Sequence, residues 1–205
     1  MKFYPDKWTV LRVTNNKKII YAKYLLHGLE SVTSANYVGL TFTNELQWDQ
    51  HIHYITNKAS KTLGFLRRNL RIPSIRINEQ THFTLARPLV EYTSTVWDPY
   101  AQTDINKVEA VQKRAARYVL INHRNRYSVS NIIQRLKWRP LEDRRKDTRL
   151  VMLYTIDREL VAINKENRLI PLGQKPRQAH NRSFQIPCAR IDTRNMSFFP
   201  RTVRD

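Results

Sequence analysis

This chain of 205 residues is short of cysteine (one), glycine (four) and acidic side chains (17, against 36 lysines and arginines). The single Cys188 rules out an internal disulfide and any cysteine-built zinc knuckle. It has no histidine within a few residues, so it does not read as a nucleophile. So few glycines argue against a glycine-rich phosphate cradle. Nothing approaches the ~18 consecutive apolar residues of a membrane span. Leu150–Ile156 is far too short, and Met1–Trp8 holds no apolar signal core. The expectation is an intracellular protein, nuclear or cytoplasmic, with no membrane partner.

What the chain does have is positive charge, +19 net. Such a field draws polyanions. At 41% apolar, with four Trp and ten Tyr, the sequence is too rich in core-forming residues to be a disordered basic tail. Its length suffices for one large domain or two small ones with a buried core.

Three runs read as strands: Trp8–Thr14, Ile19–Leu26 after an Asn15–Lys18 turn, and Tyr37–Thr43, where Gly39 marks a bulge or close approach. They predict a small antiparallel sheet or the edge of a larger one. From Trp48 the period changes. Trp48, Ile52, Ile55, Ala59, Leu63, Leu66 and Leu70 are spaced 4, 3, 4, 4, 3, 4, one helical stripe. Pro73-Ser74 ends that helix and caps a second over about 75–97, which Pro88 should kink near Thr84. Thr103-Asp104 caps a third, with Ile105, Val108, Val111, Ala115 and Val119 inward. Ser128 caps a short helix carrying Ile132, Ile133 and Leu136. Pro140 opens a last long helix to about Leu160, with Glu142 and Asp143 in its first turn. Beyond it, nine Lys or Arg, three acids and four Pro without periodicity predict a mostly irregular arm anchored by Ser197–Arg201. The expected class is α+β: a partial β segment over 1–47, a helical domain over 48–160 and a basic arm over 161–205.

Ala59–Leu70, Leu85–Tyr100 (with Glu91-Tyr92 and Trp97-Asp98-Pro99) and Asn106–Val119, with Tyr37–Leu40 before them and Ser197–Arg204 after, resemble the end of a reverse transcriptase of LINE-type, jockey-like retrotransposons. The resemblance implies late palm strands, a helical thumb over Trp48–Tyr118 and a basic C-terminal segment. It implies RNA or an RNA–DNA duplex as partner, a separate palm fragment as a further one, and no small-molecule substrate. In that family, paired aspartates on adjacent palm strands hold two Mg²⁺ ions about 4 Å apart. Residues 8–14, 19–26 and 36–43 contain no acid, and no Asp-Asp pair occurs in the chain. The chain is therefore expected to be a carboxy-terminal piece without catalytic residues, with Mg²⁺ needed only by the palm it lacks, and inactive as a polymerase alone. A protein-interaction module, or a decayed fragment without activity, is the alternative.

The candidate nucleic-acid contacts are Lys58, Lys61, Arg67 and Arg68 on the first helix and Lys107, Lys113, Arg114 and Arg117 on the third, all off the apolar stripes. Trp97 and Tyr100 read as core rather than as base-stacking platforms, as do Trp48 and Trp138. Asp49, His51 and His53 do not read as a metal site, because residues i and i+2 of a helix face different ways. Glu142, Asp143, Asp157 and Glu159, among Arg144, Arg145, Lys146, Arg149 and Arg158, read as solvent-side ion pairs.

Overall fold

The computed structural model describes residues 9–14, 30–70, 74–120, 128–166, 168–172, 183–188 and 190–205. The chain divides into two compact units, residues 1–54 and 55–205. The class is α+β and mainly helical. Among the described residues no helix is long and apolar enough to cross a membrane.

The first unit holds two pairs of short strands. β1 (Thr9–Leu11) pairs in parallel with β2 (Glu30–Val32), Thr9 opposite Glu30. A small antiparallel sheet was expected; this parallel pair occurs in addition to it. Polar Glu30 and Ser31 hide β2 in the sequence, and Glu30 places one exposed carboxylate on a strand where none was expected. The expected Asn15–Lys18 turn and Ile19–Leu26 strand lie outside the described residues. β3 (Ser34–Tyr37) and β4 (Leu40–Thr43) form an antiparallel hairpin with Tyr37 opposite Leu40. The Tyr37–Thr43 run is thus a turn and a strand, not a single strand. Its two loop residues, Val38 (φ 50°) and Gly39 (φ 81°), both take the left-handed backbone that a type I′ turn requires. Valine is rare there, so the sequence concealed the turn. Behind the hairpin, Trp48 meets Phe42 edge-on at 5.4 Å, and His51 Nδ1 accepts a hydrogen bond from the Thr41 N–H at 3.3 Å. His51 is buried while His53 is exposed, so the two do not converge.

The unit boundary falls within α1 (Asp49–Asn69), where Ile52, Ile55, Ala59, Leu63 and Leu66 of the expected stripe are all buried. Ser74 does cap α2 (Ile75–Thr81), its Oγ accepting the Ile77 N–H. The single helix expected over 75–97 is broken into pieces. Pro88 has no N–H to give the Thr84 carbonyl. Immediately upstream the chain widens into a π-helical turn, His82–Ala86, where the Arg87 N–H reaches back to the His82 carbonyl. α3 (Arg87–Glu91) follows. Thr93, at φ 50°, then breaks the path before α4 (Ser94–Trp97).

α5 (Gln102–Val119) buries Ile105, Val108, Val111, Ala115 and Val119, as its periodicity predicts. It starts one residue before Thr103, with Ala101 at the cap position, so Thr103 and Asp104 lie in the first turn instead of capping it. Tyr118 ties it to α2 through Thr81 Oγ1 (3.1 Å) and Asn78 Oδ1 (3.3 Å). α6 (Val129–Arg135) buries Ile132. α7 (Leu141–Asp157) has Pro140 at the cap position rather than at its first residue, and no cap side chain of its own. Glu109 of α5 supplies one instead, its Oε1 accepting the Glu142 N–H at 2.9 Å.

The described residues of the basic arm are mostly irregular, as expected, with short ordered pieces. Pro171 and Phe184 form an antiparallel bridge, and two helices follow, α8 (Asp192–Asn195) and α9 (Phe198–Arg204). α9 packs on α7 with Pro200 and Thr202 buried, which fulfils the anchoring role expected of Ser197–Arg201.

Candidate nucleic-acid interface

All eight predicted contact residues, Lys58, Lys61, Arg67, Arg68, Lys107, Lys113, Arg114 and Arg117, are solvent-exposed. α1 and α5 meet through one of them, Arg114, whose Nη1 donates to Ser60 Oγ at 2.5 Å. Arg114 therefore helps join the two helices. Lys107 is held by Asp104 of its own helix at 2.7 Å. Arg68 folds back along α1, with Nη1 3.4 Å from where a Cβ on Gly64 would lie. Among the described residues, Lys61, Arg67, Arg68, Lys113 and Arg117 have no carboxylate partner. An unpaired surface cation keeps its charge available to a phosphate.

The sequence reading missed Phe65. At 56% exposure it is among the most open large apolar side chains described. At 100° per residue, positions 58, 61, 65 and 68 fall within an arc of about 80° on the side of α1 away from its buried stripe. The signal was present: one aromatic residue stands off the apolar stripe and among lysines and arginines, the pattern of a base-stacking platform.

Of the aromatics expected in the core, the three tryptophans are at least half-buried, whereas Tyr100 is 46% exposed and does not join it. Trp97 is fully buried, and its Nε1 donates to the Tyr92 carbonyl at 2.7 Å. Trp48 and Trp138 are half-buried. Trp138 stacks on His82 at 4.9 Å and donates to Glu79 Oε1 at 2.7 Å.

Two arginines of α7 are not on the solvent side. Arg145 and Arg149 are 1% and 3% exposed and converge on buried Asp98. Asp98 Oδ1 accepts from Arg145 Nε at 2.7 Å, and Oδ2 meets Arg149 Nη1 and, at 3.2 Å, Arg201 Nη1. Arg201 also donates to the Asp98 and Pro99 carbonyls at 3.0 and 3.1 Å. Asp205 closes the cluster on Arg149, with Lys146 at 3.4 Å. Burial lowers the pKa of Arg145, Arg149 and Arg201, which still leaves guanidinium groups charged. At Asp205 burial works the other way, but the Arg149 hydrogen bond and the nearby cations outweigh it and hold the carboxyl below its usual range. Two segments that carried the family resemblance, Trp97-Asp98-Pro99 and Ser197–Arg204, thus meet each other. Two of the remaining acids face solvent, as expected: Glu142 and Asp143 are exposed. Glu159 pairs with Lys165 at 2.8 Å.

Burial and the neighbouring Arg87 charge push the His82 pKa down to about 4. Between pH 6.5 and 4 the unfolded chain therefore binds a proton that the folded chain refuses. Stability present above pH 6.5 is lost as pH falls through this window, by about 3 kcal/mol in all. His82→Phe keeps a ring beside Trp138 and removes the titration. Urea midpoints at several pH values should fall less steeply between pH 6.5 and 4 in this variant than in the wild type. Parallel curves would show that the wild-type loss comes from other groups.

No protein-family model, curated protein or solved structure matches this chain. Among the described residues no group of three or more His, Cys, Asp or Glu side chains is placed to hold a metal ion.

Proposed function

We propose that this chain is the carboxy-terminal, thumb-bearing part of a LINE-type reverse transcriptase, and that its second unit binds RNA or an RNA–DNA duplex without sequence preference. The supporting observation is the exposed sides of α1 and α5, where among the described residues five cations lack carboxylate partners and Phe65 stands near those of α1. Unpaired charge attracts any phosphate backbone, and an exposed ring stacks on any base. Both contacts disregard sequence. On this reading the chain supplies template–primer binding and no cofactor, while metal-assisted polymerisation belongs to a palm bearing paired aspartates.

Single- and double-stranded targets separate the two contributions. Phe65→Ala should weaken binding to a labelled single-stranded RNA by about tenfold, since one base–aromatic stack is worth about 1–3 kcal/mol. Binding to an RNA–DNA duplex of the same length should change little, because stacked bases are closed to the ring. Equal losses on both targets would remove Phe65 from the interface. If wild type bound neither target, the nucleic-acid reading would fall, and salt-tolerant association with a palm fragment or another protein would take its place.

A further inference from the structure

The π-helical turn, the start of α3, α5, α7 and the connection between α6 and α7 line a cleft of about 200 Å³. None of its lining residues belongs to the α1–α5 basic face. Its charged lining residues are all cations: Arg87, Lys137, Arg139 and Arg144. His82, Phe83 and Trp138 form an aromatic wall, with the His82 and Trp138 rings stacked at 23°. We propose that this cleft is a binding site for a phosphate monoester attached to a nucleoside, with Lys137 and His82 as its uncommitted donors.

The ion pairing of the lining residues is unequal. Arg144 grips Glu91 at 2.5 and 3.3 Å, Arg87 reaches the same carboxylate at 3.4 Å, and Arg139 holds Asp147 at 2.6 Å. The nearby Glu79 accepts from Trp138. Lys137 has no such partner among the described residues. His82 is 3% exposed, and its Nδ1 is buried without a hydrogen bond among the described residues. A buried polar nitrogen left unmet is destabilising, so a ligand that meets it gains affinity. As the Nδ1–H tautomer, neutral His82 is a donor that an anionic oxygen satisfies.

The backbone adds to this. Lys137 follows α6 at the left-handed position of a helix-ending motif (φ 54°), with its N–H bonded to the Gln134 carbonyl at 3.0 Å and the Trp138 N–H to the Ile133 carbonyl at 3.1 Å. Glycine is the favoured residue there, so Lys137 holds a strained backbone conformation. Gln112 of α5 fixes the loop by donating to the Arg139 carbonyl at 2.9 Å. His82, Phe83 and Trp138 offer rings beside the cations, which suits a phosphate with a base or sugar attached. The space is too small for a duplex.

The ligand has two sources of the same chemistry, a free nucleotide or the phosphorylated end of a strand. Calorimetric titration of the full chain with AMP at constant ionic strength should give saturable 1:1 binding. Lys137→Gly should weaken it by about tenfold, the loss of one charge-assisted hydrogen bond, while raising the thermal midpoint because the left-handed strain is relieved. A variant that is more stable and binds less tightly cannot be dismissed as misfolded. A 5′-phosphorylated oligonucleotide is then compared with its 5′-hydroxyl counterpart. A preference for the phosphorylated strand, lost in Lys137→Gly, assigns the site to strand ends; AMP binding without that preference assigns it to free nucleotide. Neither saturable AMP binding nor a 5′-phosphate preference, or equal affinities for wild type and Lys137→Gly, would overturn the proposal. Because these residues lie apart from Lys61, Arg67, Arg68, Lys113 and Arg117, failure here would leave salt-dependent binding at the α1–α5 face untouched.

Discussion

Asp98→Asn should destabilise the second unit by about 3–5 kcal/mol, the usual cost of breaking a buried ion pair from one side. The substitution keeps the side chain's shape and removes the carboxylate on which Arg145, Arg149 and Arg201 converge. Two of those arginines are almost wholly buried, and Arg145 already has Nη1 and Nη2 without hydrogen-bond partners. Asp205 is a poor substitute for the lost charge, because among the described residues its ion pairs are with Arg149 and Lys146 and not with Arg145. Asp205→Asn, at a side chain 26% exposed, should cost about 1 kcal/mol or less. The measurement is urea denaturation of the two variants beside wild type. A loss at Asp98 no larger than at Asp205 would mean that water screens the arginines as well as the carboxylate does. A variant replacing Asp98, Arg145 and Arg149 together with apolar residues of similar volume should recover most of the loss, since the penalty arises from unpaired buried charge rather than from missing attraction.

On a labelled RNA–DNA duplex, affinity should fall by about 10²- to 10³-fold between 50 and 200 mM salt. Neutralising about four to six phosphates releases their counterions and gives log K against log salt a slope of roughly −3.5 to −5.5. The structure ranks the contributors. Arg67 and Arg68 lack carboxylate partners among the described residues, so Arg67→Ala/Arg68→Ala should flatten the slope by about two units. Lys107 and Arg114 are engaged with Asp104 and Ser60, so their alanine variants should change it less. Equal slopes for wild type and the Arg67/Arg68 double variant would remove that pair from the interface. A flat slope in wild type would end the nucleic-acid reading.

The stripes of α1 and α5 were legible in the sequence because helix amphipathicity is a local property. Ile52 to Leu66 and Ile105 to Val119 repeat every three or four residues, and each of these stripe positions is buried. The eight surface cations followed from the same arithmetic, as residues off the stripes. Phe65 follows from the same arithmetic, as an aromatic residue off the stripe.

α7 marks the limit. Its inward residues Leu141, Arg145, Arg149, Met152 and Ile156 keep the spacing 4, 4, 3, 4, but two of them are arginines, and Met152 is only half-buried. Composition alone assigns arginines to solvent. What buries them is Asp98, 47 positions from Arg145, and Arg201, more than 100 positions from Asp98. The same holds for the helix start that Glu109 caps from 33 residues away, and for the cleft whose lining spans His82 to Arg144. The sequence by itself determined the long helices α1 and α5 and the faces of them that carry charge, since neighbours three and four apart decide both. Only the tertiary structure decided which charges are buried, paired or left available, because the free energy of a charge depends on the groups that folding brings around it, and those are distant in the chain.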